Sequence, residues 1–397
     1  MFIQLISLLL IIFQWIILVY LAFGTLYIFV FATASLFHYR PRKSEKEDLR
    51  RITVMIPAYK EDAVILEVAN DALQQNYPKD KYEVVLIADS FQPETLEKLK
   101  EMPIKVIEVS FDQSTKSKAL NKTMSLLPDD LFDIVVILDA DNLMERDFLT
   151  RINNAYNAGC IAIQGHRIAK NTNNSFAILD AVSEEINNST FRKGHRRLGL
   201  SSSLIGSGMA FDYRFFKTLM SSVKAVGGFD KEIELKMLKE GVRIEYLDRA
   251  MVYDEKVQKE EVFVRQRRRW LSAQIYYAAY FGDALRAFFT KGNIDYLDKA
   301  TQMLLPPRIL LIGLLPLFTL LSIFVNPLLY TMIWAGLLGM LILTFLFAIP
   351  RKFYTTQTLV AILSIPRGIF LMLISLITTK GANKKFLHTE HTSSTKE

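Results

Sequence analysis

"DIVVILDADNLMERDFL", residues 133–149, is the stretch that decides the fold. A run of Val, Ile and Leu stops at two aspartates one residue apart, Asp139 and Asp141. Carboxylates at the end of an apolar strand are costly to bury unless positive charge meets them. Alone, an Asp-x-Asp step serves as readily as a turn or a helix cap, and Asn142 and Asp147 are further capping residues in the same loop. The upstream pattern changes its weight. Strands are expected at 51–57 (RITVMIP), 82–89 (YEVVLIAD), 104–110 (IKVIEVS) and 132–139 (FDIVVILD), with helices at 62–74 and 116–127. Continuous Val/Ile/Leu runs alternating with helices indicate an α/β fold whose mostly parallel sheet is covered on both faces. Ligands of such sheets sit at the carboxyl ends of the strands. Tyr59, Lys60, Glu61, Asp89, Asp139 and Asp141 close these strands and are expected on one rim.

The rest of the 397-residue chain is greasy: 51% of it is hydrophobic. Residues 2–37 are almost unbroken apolar sequence, longer than the roughly 20 residues a spanning helix needs. They lack the short apolar core and small-residue cleavage site of a secretory leader, so a retained anchor is expected. Further spans are expected at 309–325 and 327–349. A weaker run at 359–377, broken by Pro366 and Arg367, reads as re-entrant or interfacial. Arg40, Arg42 and Lys43 put the end of the first span, and the polar middle of the chain, in the cytoplasm. Arg351, Lys352, Lys380, Lys384 and Lys385 flank the weak run, which favours three spans and an inside tail. The expected organisation is an N-terminal transmembrane helix at 1–39, a cytoplasmic catalytic domain at 40–293, a C-terminal membrane region at 294–380 and a tail at 381–397.

The net charge of +7 fits flanks near anionic lipid. No module interleaves aromatics with basic residues, so no nucleic-acid partner is expected. The single cysteine, Cys160, excludes an intramolecular disulfide. None of the five histidines forms a His-x-x-x-His pair, which argues against zinc.

Seven elements occur in order: IPAYKED (56–62), Asp89, KSKALN (116–121), DADN (139–142), IQG (163–165), GSGMAF (206–211) and QRRRW (266–270). Together they resemble the inverting, GT-A-fold glycosyltransferases of family 2, particularly the membrane-integrated branch of cellulose, hyaluronan and poly-N-acetylglucosamine synthases. The resemblance covers about residues 51–274 and implies a nucleotide-diphosphate sugar, UDP-linked by first expectation, as donor. Pro57, Ala58, Tyr59 and Glu61 would line the uridine pocket and Asp89 would bond the base; the plain alternative for this stretch is a strand-to-helix turn. Lys118 would meet the nucleotide at a helix N-terminus. Asp139 would contact the donor, and Asp141, with Asp139, would hold Mg²⁺ or Mn²⁺.

Inversion needs a general base on the acceptor side. The family places it in an acidic motif opening a helix, matched here by GGFDKEIELKMLKEG (227–241). The helical frame selects Glu232, leaving Asp230 as a cap. Gln164, Gly206, Ser207, Gly208, Gln266, Arg269 and Trp270 would serve acceptor and diphosphate. Arg269 offers a fork for diphosphate oxygens, and Trp270 a platform for a sugar. Arg267 and Arg268 are expected to face lipid headgroups. FLHTEHT (386–392) resembles a tail motif of related transferases and receives no chemistry.

These features describe an integral enzyme of a bacterial inner membrane, moving a sugar to a growing polysaccharide or glycolipid. Single-sugar transfer to a polyprenyl phosphate or other lipid is the rival, since three spans make a roomy channel hard to build. A non-catalytic nucleotide-sugar-binding subunit is the alternative from another class. Expected partners are the donor, a carbohydrate or lipid-linked acceptor and membrane lipid, with a membrane-protein partner or homo-oligomer left open.

Overall fold

The computed structural model describes residues 2–370 apart from 42, 43, 226, 259, 326 and 368. The weak run beyond 370, its basic flank and the 381–397 tail, including FLHTEHT, lie outside the described residues, as do Arg42 and Lys43.

Eight strands form one sheet: β1 Ile52–Tyr59, β2 Tyr82–Asp89, β3 Lys105–Val109, β4 Ile134–Ile137, β5 Leu143–Met144, β6 Ala162–Ala169, β7 Met209–Asp212 and β8 Glu245–Asp254, in the order β3-β2-β1-β4-β7-β6-β8-β5. The four strands anticipated from their apolar runs are mutually parallel. Beyond β4 the sheet becomes mixed: β7 runs antiparallel to β4 and β6, while β8 is parallel to β6. Alternate residues of the central strands feed opposite faces. Ile52, Val54 and Ile56 pack with Val68 and Ile152 on one side, and Met55, Val85 and Ile137 pack with Leu120 and Phe216 on the other. Burial on both faces is why these strands read as unbroken apolar runs.

The helix expected at 62–74 is shorter, Ile65–Ala72, because Val64 and Ile65 both donate to the Glu61 carbonyl in a turn. The Lys116–Leu126 helix begins where expected, capped by Thr115, whose hydroxyl accepts from the Lys118 amide at 3.2 Å.

Among the described residues three helices are long and apolar enough to cross a membrane: Phe2–Ser35, Arg308–Val325 and Leu328–Ala348. They meet through Leu18, Leu21, Leu311, Leu315, Trp334 and Leu341. The first also packs against the sheet domain. A π-helical turn, Asn188–Gly194, follows the Ser175–Asn187 helix and lies on the Phe2–Ser35 helix so closely that a Cβ on Gly194 would stand 2.1 Å from the Phe31 carbonyl oxygen. Only glycine permits that approach. Beside it, the buried His195 ring stacks on Phe31 with centroids 3.6 Å apart.

Candidate active site

The carboxyl ends of β1, β2 and β4 open into a cavity of about 1310 Å³. Register sets Tyr59 beside Asp89. The chain leaves both strands through a left-handed residue, Lys60 (φ 56°) and Ser90 (φ 59°), and the Lys60 amide donates to the Asp89 carbonyl at 3.1 Å. These turns hold Pro57, Ala58, Tyr59, Glu61 and Asp89 on the cavity wall, as the sequence leads one to expect.

Asp139 and Asp141 also line it, while Asn142 between them and the sheet is fully buried. The Asp139 amide donates to the Ser207 hydroxyl (2.9 Å), and that hydroxyl donates to the Asn142 side chain. Gly206 (φ 90°) and Gly208 (φ 62°) carry the chain past this bond. The buried Gln164 amide donates to the carbonyls of Ser207 (3.0 Å) and Gly208 (3.3 Å) and accepts from the Ile205 amide (3.0 Å). Gln164, Ser207 and Gly208 are therefore a brace behind the wall; of the GSG turn and its glutamine, only Gly206 reaches the cavity.

Two further residues singled out from the sequence stand off the cavity wall. Lys118 turns outward and donates to the Gln113 carbonyl at 2.7 Å, whereas Lys116 projects inward, paired with Asp139 and 2.7 Å from the Gly206 carbonyl. Two positions are about 200° apart round a helix, so a single helix cannot present both lysines to one cavity. The same phase governs the acidic helix. Phe229–Lys239 starts after Gly228, which is left-handed at φ 66°. Asp230 then faces the cavity, while Glu232 points away and pairs with Lys236 at 2.8 Å. The cap position itself is Gly228, and Asp230 lies in the first turn of the helix.

The Glu260–Tyr277 helix brings Gln266, Arg269 and Trp270 to the wall. The Gln266 Oε1 is buried without a hydrogen-bond partner among the described residues. Burial lowers the Arg269 pKa, with Asp139 and Asp230 as the carboxylates that oppose it. Arg267, expected at the lipid surface, instead lies on the cavity wall, bonded to Asp180, its guanidinium 4.5 Å from the Trp270 ring centroid.

Sequence reasoning missed a buried ion network under the aspartates. Arg167 meets Glu184 (2.9 Å) and Asp254 (3.5 Å), Lys256 meets Asp254 (2.7 Å), and Arg192 meets Glu184 (3.2 Å). Burial opposes the charge on Asp254, but Arg167 and Lys256 outweigh it and hold the carboxyl well below the usual range. Its job is visible in the contacts. Asp254 accepts from Asn142 (3.1 Å), the Glu255 amide donates to Asp141 (3.2 Å) and Lys170 donates to the Asp141 carbonyl (2.9 Å). These partners come from β6, β8 and a distant helix, so no local motif announces them.

Away from the sheet the cavity turns apolar. Ile309, Ile312, Phe345, Leu346, Ile349 and Ile362 continue its wall along the apolar Arg308–Val325 and Leu328–Ala348 helices and the short Thr356–Ile362 helix. A single space thus joins a carboxylate-lined end to a hydrocarbon-like end.

Residues 50–273 match the sequence profile described as "Glycosyltransferase like family 2". The chain is 25% identical over 248 residues to a beta-monoglucosyldiacylglycerol synthase of Trichormus variabilis, covering 58% of this chain and 51% of that one. It is 24% identical over 254 residues to a probable glycosyltransferase of Bacillus subtilis, covering 59% and 57%. The chain spans about half the length of the curated relatives it matches. Among solved structures, a mannosyltransferase of Pyrobaculum calidifontis, in complex with GDP-Man and Mn²⁺, superposes with a TM-score of 0.50 at 18% identity, over 83% of this chain and 97% of that one.

Proposed function

Because the chain belongs to glycosyltransferase family 2, and its mixed α/β sheet is that of the GT-A enzymes, we propose that it is a membrane-bound inverting transferase that passes a sugar from a nucleotide diphosphate to a lipid-borne acceptor. The observation that carries this reading is the continuity of the cavity from Asp89 and Asp139 to Ile312 and Phe345. A donor needs the first end, and an acyl or prenyl chain suits the second.

On this reading Tyr59, Glu61 and Asp89 receive the nucleoside, a uridine by first expectation. Lys116 and Arg269 face the diphosphate with one point charge and one fork. Asp230 takes the proton from the acceptor hydroxyl as that oxygen attacks the anomeric carbon, and the C–O bond to the diphosphate breaks on the opposite face. Trp270 supplies a flat apolar surface for a sugar ring. The ion network keeps the Asp141 carboxylate fixed through the Glu255 amide.

Asp139 and Asp141 suit a hard cation. Among the described residues no group of three or more His, Cys, Asp or Glu is placed to hold an ion. Two carboxylates plus substrate phosphates and water is the ligand set that Mg²⁺ favours, and Mn²⁺ accepts the same oxygens. When bound, the cation neutralises charge on the departing diphosphate. Arg40 beside the first span supports a cytoplasmic placement of this site.

The test is to incubate the purified full chain with a panel of labelled sugar nucleotides, Mg²⁺ or Mn²⁺, and membrane lipid. Transfer to an extractable lipid is expected; neither transfer nor donor hydrolysis with any sugar nucleotide would refute the enzyme assignment. The Gln266, Arg269 and Trp270 cluster also supports a polymerising reading, and a product ladder on a gel would select it over single transfer.

A further inference from the structure

Where the polar end of the cavity gives way to the apolar end, Arg308 stands at the head of the second membrane helix. Its Nη2 donates to the Ser183 carbonyl (3.1 Å) and hydroxyl (3.0 Å). Its Nη1 is buried with no hydrogen-bond partner among the described residues. No carboxylate of the described residues lies within ion-pair distance of it; the charges that act on it are Arg267, Glu184 and Arg192. Glu184 is already shared by Arg167 and Arg192, and Asp180 is taken by Arg267. A buried guanidinium nitrogen without an acceptor is expensive. The wall is therefore cationic in excess where Asp180 and Ser183, one helical turn apart, hold Arg267 and Arg308 side by side.

We propose that this junction is a phosphate subsite in which Arg308, with Arg267 and the Ser183 hydroxyl beside it, receives the phosphate of a lipid headgroup. The inference rests on the lipid-acceptor reading and narrows it to an acidic, phosphate-bearing lipid. A guanidinium fork matches two phosphate oxygens, and a third oxygen remains for a neighbouring donor. The source is a lipid rather than a free anion because Ile309 and Ile312 continue the same wall directly from Arg308, so the groups that would follow the phosphate meet hydrocarbon. Seated there, the headgroup lies on the same wall as Trp270, over which Arg267 is stacked.

The test uses thermal unfolding of the full chain in uncharged detergent, since a ligand that binds only the folded form raises its stability by mass action. Dioctanoyl phosphatidic acid, dioctanoylglycerol and inorganic phosphate are titrated separately. Phosphatidic acid is expected to bind about tenfold or more tightly than dioctanoylglycerol, that preference vanishing in R308Q and partly returning in R308K, as a charge-assisted hydrogen bond requires. Protection by inorganic phosphate equal to that by phosphatidic acid would overturn the lipid source. Equal protection by the two lipids, or a preference that R308Q leaves intact, would overturn the subsite while leaving a neutral lipid acceptor standing. UDP with Mn²⁺ is the control on folding and on the wider reading. Its protection should persist in R308Q, and its absence from the wild-type chain would count against the donor site, not against the phosphate subsite.

Discussion

The ammonium of Lys116 is paired with the carboxylate of Asp139, and its other bond, 2.7 Å to the Gly206 carbonyl, ties the strand-end carboxylate to the glycine turn. Lys116 is thereby held over the Phe229 ring, 5.0 Å from its centroid, in the mouth of the helix that carries Asp230. Lys116→Met should weaken UDP binding about tenfold, the loss of one charged contact to a phosphate. Lys118→Met should change it by less than about twofold, because an exposed lysine bonded to a nearby carbonyl contributes little. Titrating UDP and Mn²⁺ against both variants by thermal shift separates the two lysines; the reverse order would return the nucleotide to Lys118.

Asp230→Asn should cut transfer by about 10²–10⁴-fold, the usual worth of a general base, with UDP binding retained. Glu232→Gln should leave turnover near the parent value, since its carboxylate is spent on Lys236. Initial rates of the two variants with one donor decide between them, and a silent Asp230→Asn would remove that residue from the chemistry.

Glu185 joins the sheet domain to the apolar helices. It meets His166 at 3.1 Å and Lys352, just past the Leu328–Ala348 helix, at 2.8 Å. Burial raises its pKa, but His166 and Lys352 more than offset that and bring it down to about 2. A carboxyl depressed in the folded state stabilises fully above its ordinary value near 4.5, and that stabilisation fades as pH falls toward 2. Lys352→Met should therefore move the midpoint of acid unfolding to higher pH, read by circular dichroism between pH 2 and 5. An unchanged midpoint would show that Lys352 does not hold Glu185 ionised.

Glu234 and Lys299 are both buried and lie 2.7 Å apart. Burial raises the pKa of the first and lowers that of the second, so the enclosure disfavours both charges despite their pairing. Lys299→Met alone should destabilise the chain by about 3–5 kcal/mol by stranding the carboxylate, and Glu234→Leu in the same chain should recover most of it. A double variant no more stable than the single one would contradict this account.

The strands and the rim were legible because apolar runs buried on both faces leave a plain signature and end in the residues that line the cavity. Gln266, Arg269 and Trp270 were legible because a long helix keeps i, i+3 and i+4 together. The departures from expectation at Lys118 and Glu232 share one cause. Residues two apart fall on opposite sides of a helix, and which side meets the cavity is fixed only when the Lys116–Leu126 and Phe229–Lys239 helices pack against the sheet. Arg267 was misplaced because its partner, Asp180, lies on another helix. The Arg167 network escaped for the same reason, since its members meet only when β6, β8 and the Ser175–Asn187 helix are assembled.

The contact between Gly194 and Phe31 bears on how the enzyme can be handled at the bench. A truncation starting near residue 40 would strip the stacking partner from His195 and the Tyr27 hydroxyl that lies 3.0 Å from its Nε2 and bonds Asp298. The fragment would be a wounded fold with a raw apolar seam where the π-helical turn had rested, and it should aggregate on purification. Detergent or nanodisc preparation of the whole polypeptide is the sound starting material for any assay.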